Sequence, residues 1–371
     1  MKIVIEASVP YLRGIAEQFG DVEYLQSNDF DKEHLKDADA LIIRSITKCN
    51  AQNLEGTSVK LITTATAGFD HIDQTFCKEN GIVWKNSPGC NADAVAQYVA
   101  SALSLMAIRL KTSLEGLTIG IVGVGHVGRR VELIARAFGM KVLRNDPPRE
   151  EKEGSHGFCS IDEIMKKSDV VTFHTPLNRD NKFPTYHLIN DELLKKAQKK
   201  PILINACRGA VADSEALIKA KNEGIIKALI IDCWEGEPDI NRQLLSLADI
   251  ATPHIAGFSA DGKCNGARMC LENISKFFDI PSEALRKMQP EDPQNPLINI
   301  NQFEDNRVYR TQLESFNPEN IDKILRLHPE NFETLRKTYS YPREMKAYTV
   351  RGASEEEIAV LNKLGFNAMS Y

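Results

Sequence analysis

Residues 117–128 read LTIGIVGVGHVG, an apolar run that turns directly into Gly123, Gly125 and Gly128 and then into a helical pattern ending near Phe138. Strand, glycine turn, helix: in that order a GxGxxG motif binds a dinucleotide. The first glycine permits the tight turn, the second lets a pyrophosphate approach the backbone, and the third lets the helix pack closely on the strand. The phosphates then rest at a helix N-terminus. A second apolar stretch, 140–143, leads to Asp146, 23 residues after Gly123, close to the spacing at which an acid meets the ribose 2′-hydroxyl. A carboxylate there repels a 2′-phosphate and so favours NAD over NADP. Arg144, two residues earlier, is the one neighbour that would soften this preference.

Composition bounds what surrounds the motif. A chain of 371 residues has room for two or three domains with substantial cores. Hydrophobic residues at 42% and charged residues at 26% argue against disorder and against a membrane class. A net charge of −5 argues against general nucleic-acid affinity, while leaving room for a local basic patch on an anionic substrate. The N-terminal MKIVIEASVP has too short an apolar core for a signal peptide, and no stretch approaches the roughly 18 apolar residues of a membrane span. A cytoplasmic protein with no nucleic-acid or membrane partner is expected. Eight cysteines, at 49, 77, 90, 159, 207, 233, 264 and 270, form no CxxC pair and no zinc spacing. They are read as reduced, mostly buried thiols, and no metal is expected.

Working outward from the glycine turn, apolar runs at 3–5, 40–43, 61–62 and 82–84 alternate with helical or loop segments, the pattern of a parallel α/β sheet. The NSPG at 86–89 interrupts it, and 92–110 reads as a long apolar helix joining two domains. After the fingerprint, strands recur at 170–173, 202–205, 228–231 and 250–251. Residues 93–258 are therefore expected to form one doubly wound, Rossmann-like NAD-binding domain. Helical spacing over 268–278 returns the chain to the first domain, which becomes a discontinuous unit of 1–92 and 259–288. QPEDPQNPL, 289–297, holds three prolines and two acids and reads as a linker or extended arm. Beyond it, helical stretches at 321–327 and 332–338 and strand candidates at 347–350 and 366–369 make a small α+β unit, 289–371. It would be marginal alone.

Three segments each place a reactive side chain just past an expected strand: INACRGAVAD with Arg208, IDCWEGEP with Glu237, and ATPHIAGF with His254. Ligands of open α/β sheets bind outside the carboxyl ends of the strands. Arg208 stays protonated at any relevant pH, so it can only bind and polarise, and its fork suits a carboxylate. His254, with an ordinary pKa of about 6.5, suits the proton of a hydroxyl being oxidised while hydride leaves for nicotinamide. Glu237 would orient the imidazole and raise its pKa. Together they specify oxidation of a 2-hydroxy acid.

The glycine fingerprint, CRGAVAD, DCWEGEP and PHIAG, with TATAGFDHID at 64–73, follow in an order that resembles the D-isomer-specific 2-hydroxyacid dehydrogenases over about residues 1–280. The resemblance implies an NAD-dependent dehydrogenase with Arg208 on the substrate carboxylate, Glu237 as partner of the histidine and His254 as acid/base. It also implies NAD contacts at His126, Val127, Asp146, Thr175, Asp232 and Gly257. Three further features resemble a branch of the family that handles a phosphorylated hydroxy acid: IIRSITK at 42–48, NSPGCNADAVAQYV, and the unit after residue 290. Arg44, Ser45 and Lys48 lie just past a strand and offer two cations and a hydroxyl to a phosphate.

The same branch implies substrate contacts at Ser45, at Thr66, whose hydroxyl suits a carboxylate or a hydroxyl, and at position 258. There Phe258 stands where relatives commonly carry a tyrosine, so a phenolic hydrogen bond is not available. Gln97 likewise stands where the family often has an acid. The C-terminal unit resembles a dimerisation domain, implying a homodimer, with Arg343 and Lys346 within YSYPREMKAY expected to reach a partner's site. Other members of the family, acting on 3-phosphoglycerate, glycerate or D-lactate, and a co-repressor-like regulator that binds NAD remain alternatives.

Overall fold

The computed structural model describes residues 1–370. It divides into two units, the first made of Met1–Ala92 with Phe258–Glu291, the second of Asp93–Gly257 with the chain from Asp292 onward. Five parallel strands form the first sheet: β1 (Lys2–Glu6), β2 (Asp21–Leu25), β3 (Ala40–Ile43), β4 (Leu61–Thr64) and β5 (Val83–Lys85), in the order β2-β1-β3-β4-β5. Alternate residues of a strand face opposite sides. On one side Ile3, Ile5, Ala40, Ile42 and Leu61 pack with Ala267, Cys270, Leu271 and Ile274 of the helix Ala260–Phe278. On the other, Val4, Leu41, Ile43 and Ile62 pack with Leu35, Leu54 and Cys77. Both faces are covered, which is why β3 and β4 read as unbroken apolar or threonine runs rather than as an alternation.

The second unit carries six parallel strands: β6 (Thr118–Val122), β7 (Lys141–Asn145), β8 (Val170–Phe173), β9 (Ile202–Asn205), β10 (Ala228–Ile231) and β11 (Ile250–Ala251). Their order, β11-β10-β9-β8-β6-β7, reverses direction between β6 and β8. Such a reversal is where a doubly wound sheet opens a crevice for a ligand. The core on one face runs through Val122, Phe173, Leu203, Leu229 and Ile231.

Residues from 292 on add a small parallel sheet, β12 (Leu297–Asn299), β13 (Thr349–Arg351) and β14 (Asn367–Ala368). This segment packs on the second unit of its own chain. Leu325 and Phe332 enter that unit's core. Asp322 Oδ1 accepts the Ala251 amide of β11 at 2.6 Å, and Arg326 donates to the Leu245 and Ala248 carbonyls, each at 2.7 Å. The helix Glu355–Leu364 lies against the helix His126–Ala137 that follows the glycine turn.

Two contacts explain the glycine spacing. Gly123 has φ +87°, and a Cβ there would stand 2.7 Å from the His174 carbonyl oxygen. A Cβ at Gly128 would overlap the Gly123 carbonyl oxygen, so helix and turn touch backbone to backbone. Gly128→Ala should therefore lower the unfolding free energy by about 2 kcal/mol or more, measured by urea titration. His174 begins the turn after β8; its Nε2 lies 2.9 Å from Thr172 Oγ1 and its Nδ1 is shut away from water without a partner among the described residues. Burial pushes the imidazole pKa down to about 3. The unfolded chain takes up a proton near pH 6.5 that the folded chain refuses, so the neutral form is native and stability falls as pH drops below that value. Between pH 7.5 and 5.5 the wild type should lose about 1 kcal/mol more than His174→Asn in paired urea titrations.

Candidate active site

The site is organised around Asp232, which follows β10 and is almost fully buried. Its Oδ1 accepts the Thr252 hydroxyl at 2.6 Å and the Ile255 amide at 2.8 Å, and its Oδ2 accepts the Ala256 amide at 3.0 Å. Tyr98, buried on the helix Ala92–Leu110, lies 2.8 Å from Thr252 Oγ1 and donates its hydroxyl hydrogen bond to that oxygen, because the Thr252 hydrogen is already committed to Asp232. Burial raises the Asp232 pKa, and these donors oppose the shift. Residues 252–256 thus wrap a carboxylate, and His254 is carried at the apex with φ +54°. A non-glycine residue in the left-handed region costs on the order of 1 kcal/mol. The turn is fixed by its amide, which donates to the Asp232 and Thr252 carbonyls at 2.8 and 3.0 Å, and by Arg336 Nε, which donates to the His254 carbonyl at 3.3 Å.

This turn sets His254 Nδ1 2.7 Å from Glu237 Oε2. The other Glu237 oxygen accepts the Trp234 amide at 2.6 Å. An ionised carboxylate only accepts, so Nδ1 carries the hydrogen and the neutral imidazole keeps its lone pair on Nε2. Partial exposure of both side chains leaves that nitrogen able to meet a substrate. The Cys233 thiol lies with them, the three donor atoms falling within 4.8 Å of one another, and burial pushes its pKa well up.

Arg208 follows β9, extended at φ −143°, with Nη1 donating to the Cys207 carbonyl at 2.8 Å. Gly209 looks in the sequence like an ordinary turn residue. The structure gives it a sharper reason, since a Cβ there would overlap the Trp234 carbonyl. Arg208 and the loop bearing Glu237 are thereby pressed together at the ends of neighbouring strands.

At the end of β6, the helix His126–Ala137 starts at Gly125 with no side-chain cap, and a Cβ at Gly125 would meet no protein atom within 4 Å. His126 and Val127 are its first residues. An uncapped helix start beside open space suits a pyrophosphate. Thr175, in the turn after β8, is buried at its hydroxyl and lies beside the Cys207 thiol. Asp146 caps the helix Pro147–Glu153 through the Arg149 amide and accepts the Val124 amide of the glycine turn at 2.8 Å. Arg144, by contrast, is drawn aside: its Nε donates to the Gly157 carbonyl at 2.9 Å, and its guanidinium lies 5.5 Å from the Phe158 ring. The donor set fits NAD. Gly257 ends this unit, directly after the Ala256 amide held by Asp232.

In the first unit, the sheet reverses direction between β1 and β3, and Glu6 ends β1 there, wholly buried. Glu6 Oε2 accepts the Arg44 amide and the Thr47 hydroxyl, each at 2.7 Å, and Oε1 accepts the Ser8 hydroxyl. Arg44 Nη1 donates to the Ser8 carbonyl at 3.2 Å, while Ser45 and Lys48 are exposed. Sequence reading missed Glu6; an acid ending an apolar strand at a switch point was the available signal. Thr66 donates to the Gly68 carbonyl at 2.8 Å and lies 2.8 Å from Thr64 Oγ1, which is 3.0 Å from His71 Nε2. Phe258 groups with this unit rather than with 93–257, and Lys263 Nζ sits 3.9 Å from its ring centroid. Gln97 is buried, donating to Ser315 Oγ and the Arg343 carbonyl. Arg343 is also largely buried, its guanidinium 3.6 Å from Asp292 of its own chain. Lys346 lies 3.0 Å from the Glu344 carboxylate.

Comparison with known proteins identifies the family. The family described as D-isomer specific 2-hydroxyacid dehydrogenase, NAD binding domain, matches residues 94–256. A Porphyromonas gingivalis protein named erythronate-4-phosphate dehydrogenase is 53% identical over 99% of this chain and all of its own length. A protein of the same name from Escherichia fergusonii is 39% identical over 100% of this chain and 99% of its own. Among solved structures, the D-lactate dehydrogenase of Aquifex aeolicus, complexed with NAD and lactic acid, is similar with a TM-score of 0.62 and 27% identity, covering 78% of this chain and all of that one. The NAD-bound 3-phosphoglycerate dehydrogenase of Entamoeba histolytica gives a TM-score of 0.63 and 26% identity, covering 76% of this chain and 97% of its own. NAD is the cofactor, and no helix among the described residues is long and apolar enough to cross a membrane. The chain belongs to the D-isomer specific 2-hydroxyacid dehydrogenases, an NAD-dependent family acting on small hydroxy acids, and within it to the group whose members are named erythronate-4-phosphate dehydrogenase.

Proposed function

We propose that this protein oxidises 4-phospho-D-erythronate to (R)-3-hydroxy-2-oxo-4-phosphobutanoate, a step in the formation of pyridoxal 5′-phosphate. The observation that carries the reading is the full-length likeness to relatives bearing that substrate's name. The Glu237–His254 pair, 2.7 Å apart, supports it. Bound NAD supplies the hydride acceptor, which no side chain can provide.

The rest is the work of the chain. Arg208 takes the substrate carboxylate in its guanidinium fork. His254 Nε2 accepts the C2 hydroxyl proton as that carbon becomes a ketone, and Glu237 stabilises the imidazolium through Nδ1. Arg44, Ser45 and Lys48 take the phosphate, with Thr66 and Phe258 completing the substrate contacts. Gly123, Gly125, His126, Val127 and Gly128 receive the pyrophosphate; Asp146 receives the ribose, and Thr175, Asp232 and Gly257 the nicotinamide side. The chain works in the cytoplasm as a homodimer formed through residues 289–371. Exposed Leu297 and Leu327 support that assembly face.

For His254→Ala, turnover of 4-phosphoerythronate should fall about 10²- to 10⁴-fold while NADH affinity, followed by fluorescence titration, stays within about twofold. Near-normal turnover would remove His254 from the proton transfer.

A further inference from the structure

We infer that the Cys233 thiol, the His254 imidazole and the Glu237 carboxylate form a binding site for a soft divalent cation, Zn²⁺ first among them, and that the bound ion switches the catalytic base off. What the ion does to turnover rests on the functional reading above; the site itself does not.

The donor set is the observation. One thiol, one imidazole and one carboxylate offer ligand atoms within 4.8 Å of one another, and among the described residues no other three His, Cys, Asp or Glu side chains come together in this way. Around a tetrahedral Zn²⁺ the ligand atoms stand about 3.5 Å apart, so the closure needed is a small side-chain shift. All three residues belong to the second unit, on the loops that follow the neighbouring strands β10 and β11. Two loops supply them, which is why no zinc spacing shows in the sequence.

Each donor can turn to an ion at little cost. Cys233 Sγ makes long, weak contacts, 3.4 Å to the Cys207 carbonyl oxygen and 3.8 Å to Asp232 Oδ2. Glu237 is anchored by its other oxygen on the Trp234 amide, so Oε2 keeps its place whether it faces His254 Nδ1 or a metal. Cys233 is 2% exposed, whereas the His254 and Glu237 side chains are 28% and 20% exposed, so an ion enters past the pair and meets the thiol beneath it. The Asp232 and Glu237 carboxylates make the spot negative, against the single nearby guanidinium of Arg208. A metal ion supplies the positive charge that a buried thiolate otherwise lacks, and a thiolate ligand selects Zn²⁺ over Mg²⁺.

Binding changes no oxidation state. Bonds from the ion to Sγ, Nδ1 and Oε2 form, while the S–H and Nδ1–H bonds break. The thiol proton goes to water and the ring carries its hydrogen on Nε2 instead, so the imidazole stays neutral and one proton is released per ion. Water takes the fourth position. A ring with its hydrogen on Nε2 has no lone pair left for a substrate hydroxyl, and its bond to Glu237 is gone.

The test uses the full-length protein with NAD and free Zn²⁺ set by a metal buffer. Saturating Zn²⁺ should lower kcat for 4-phosphoerythronate about 100-fold or more, reversibly on adding a chelator, and the same free Mg²⁺ should not. Cys233→Ala and Cys233→Ser should both keep basal turnover and need about tenfold more free Zn²⁺, or beyond, for half inhibition. Cys159→Ala, which removes the half-buried thiol, should match the wild type. Binding is read without turnover by adding Co²⁺: a sulfur-to-cobalt charge-transfer band should appear in the wild type and Cys159→Ala, and in neither Cys233 variant. No such band in the wild type, a band that survives in Cys233→Ala, or equal Zn²⁺ sensitivity in the wild type and both Cys233 variants would overturn the inference. Failure to reduce NAD with no metal added would overturn the functional reading and leave the cobalt result to decide the site.

Discussion

A single buried carboxylate sets the geometry of the active site. Asp232 stands in a low-dielectric interior where an unpartnered charge would cost several kcal/mol, and it is made tolerable by the Thr252 hydroxyl and the Ile255 and Ala256 amides. Those donors belong to the turn that carries His254. Satisfying the charge and aiming the imidazole are thus one event, and the strained φ of His254 is held by bonds that exist for another reason. The Glu237 carboxylate then finds Nδ1 in reach. The Trp234 carbonyl that closes on Gly209 keeps Arg208 beside them.

The C-terminal segment shows how far packing can override a reading by length. Some 75 residues beyond a proline-rich arm suggest a unit that folds poorly alone. Here its apolar residues have a partner on their own chain, since Leu325 and Phe332 complete the second unit's core. Its polar residues do equivalent work: Asp322 meets the amide of β11, and Arg326 ties down two carbonyls beside it. Arg336 reaches the His254 carbonyl, so the segment braces the catalytic turn as well as the sheet.

Buried strands were legible because the physics is local. β3, β8 and β10 are wholly buried, and their runs of Ala, Val, Leu, Ile and Phe, broken only by Thr172, say so directly. Two edge strands, β2 and β12, were not. In β2, DVEYL, no residue is buried, and β12 buries only Ile298, so neither carries an apolar signature. The expected strand at 82–84 lies at Val83–Lys85 for the same reason, an edge whose residues are largely exposed. Arg208, Glu237 and His254 were readable from strand ends followed by reactive side chains. Glu6 was not, because its partners Arg44 and Thr47 lie 38 and 41 residues away and only the strand order brings them together. Nor does any residue pattern reveal which way a hydroxyl points; Thr66 yields that only once the Gly68 carbonyl is seen.

The protein couples oxidation of a phosphorylated 2-hydroxy acid to reduction of NAD. The most direct test is a single-turnover measurement of nicotinamide reduction, by absorbance, on mixing the NAD-loaded protein with 4-phospho-D-erythronate and, separately, with 3-phosphoglycerate. About one reduced nicotinamide per active site is expected with the four-carbon acid, and much slower reduction with the three-carbon one. No reduction with 4-phospho-D-erythronate, or faster reduction with 3-phosphoglycerate, would contradict it.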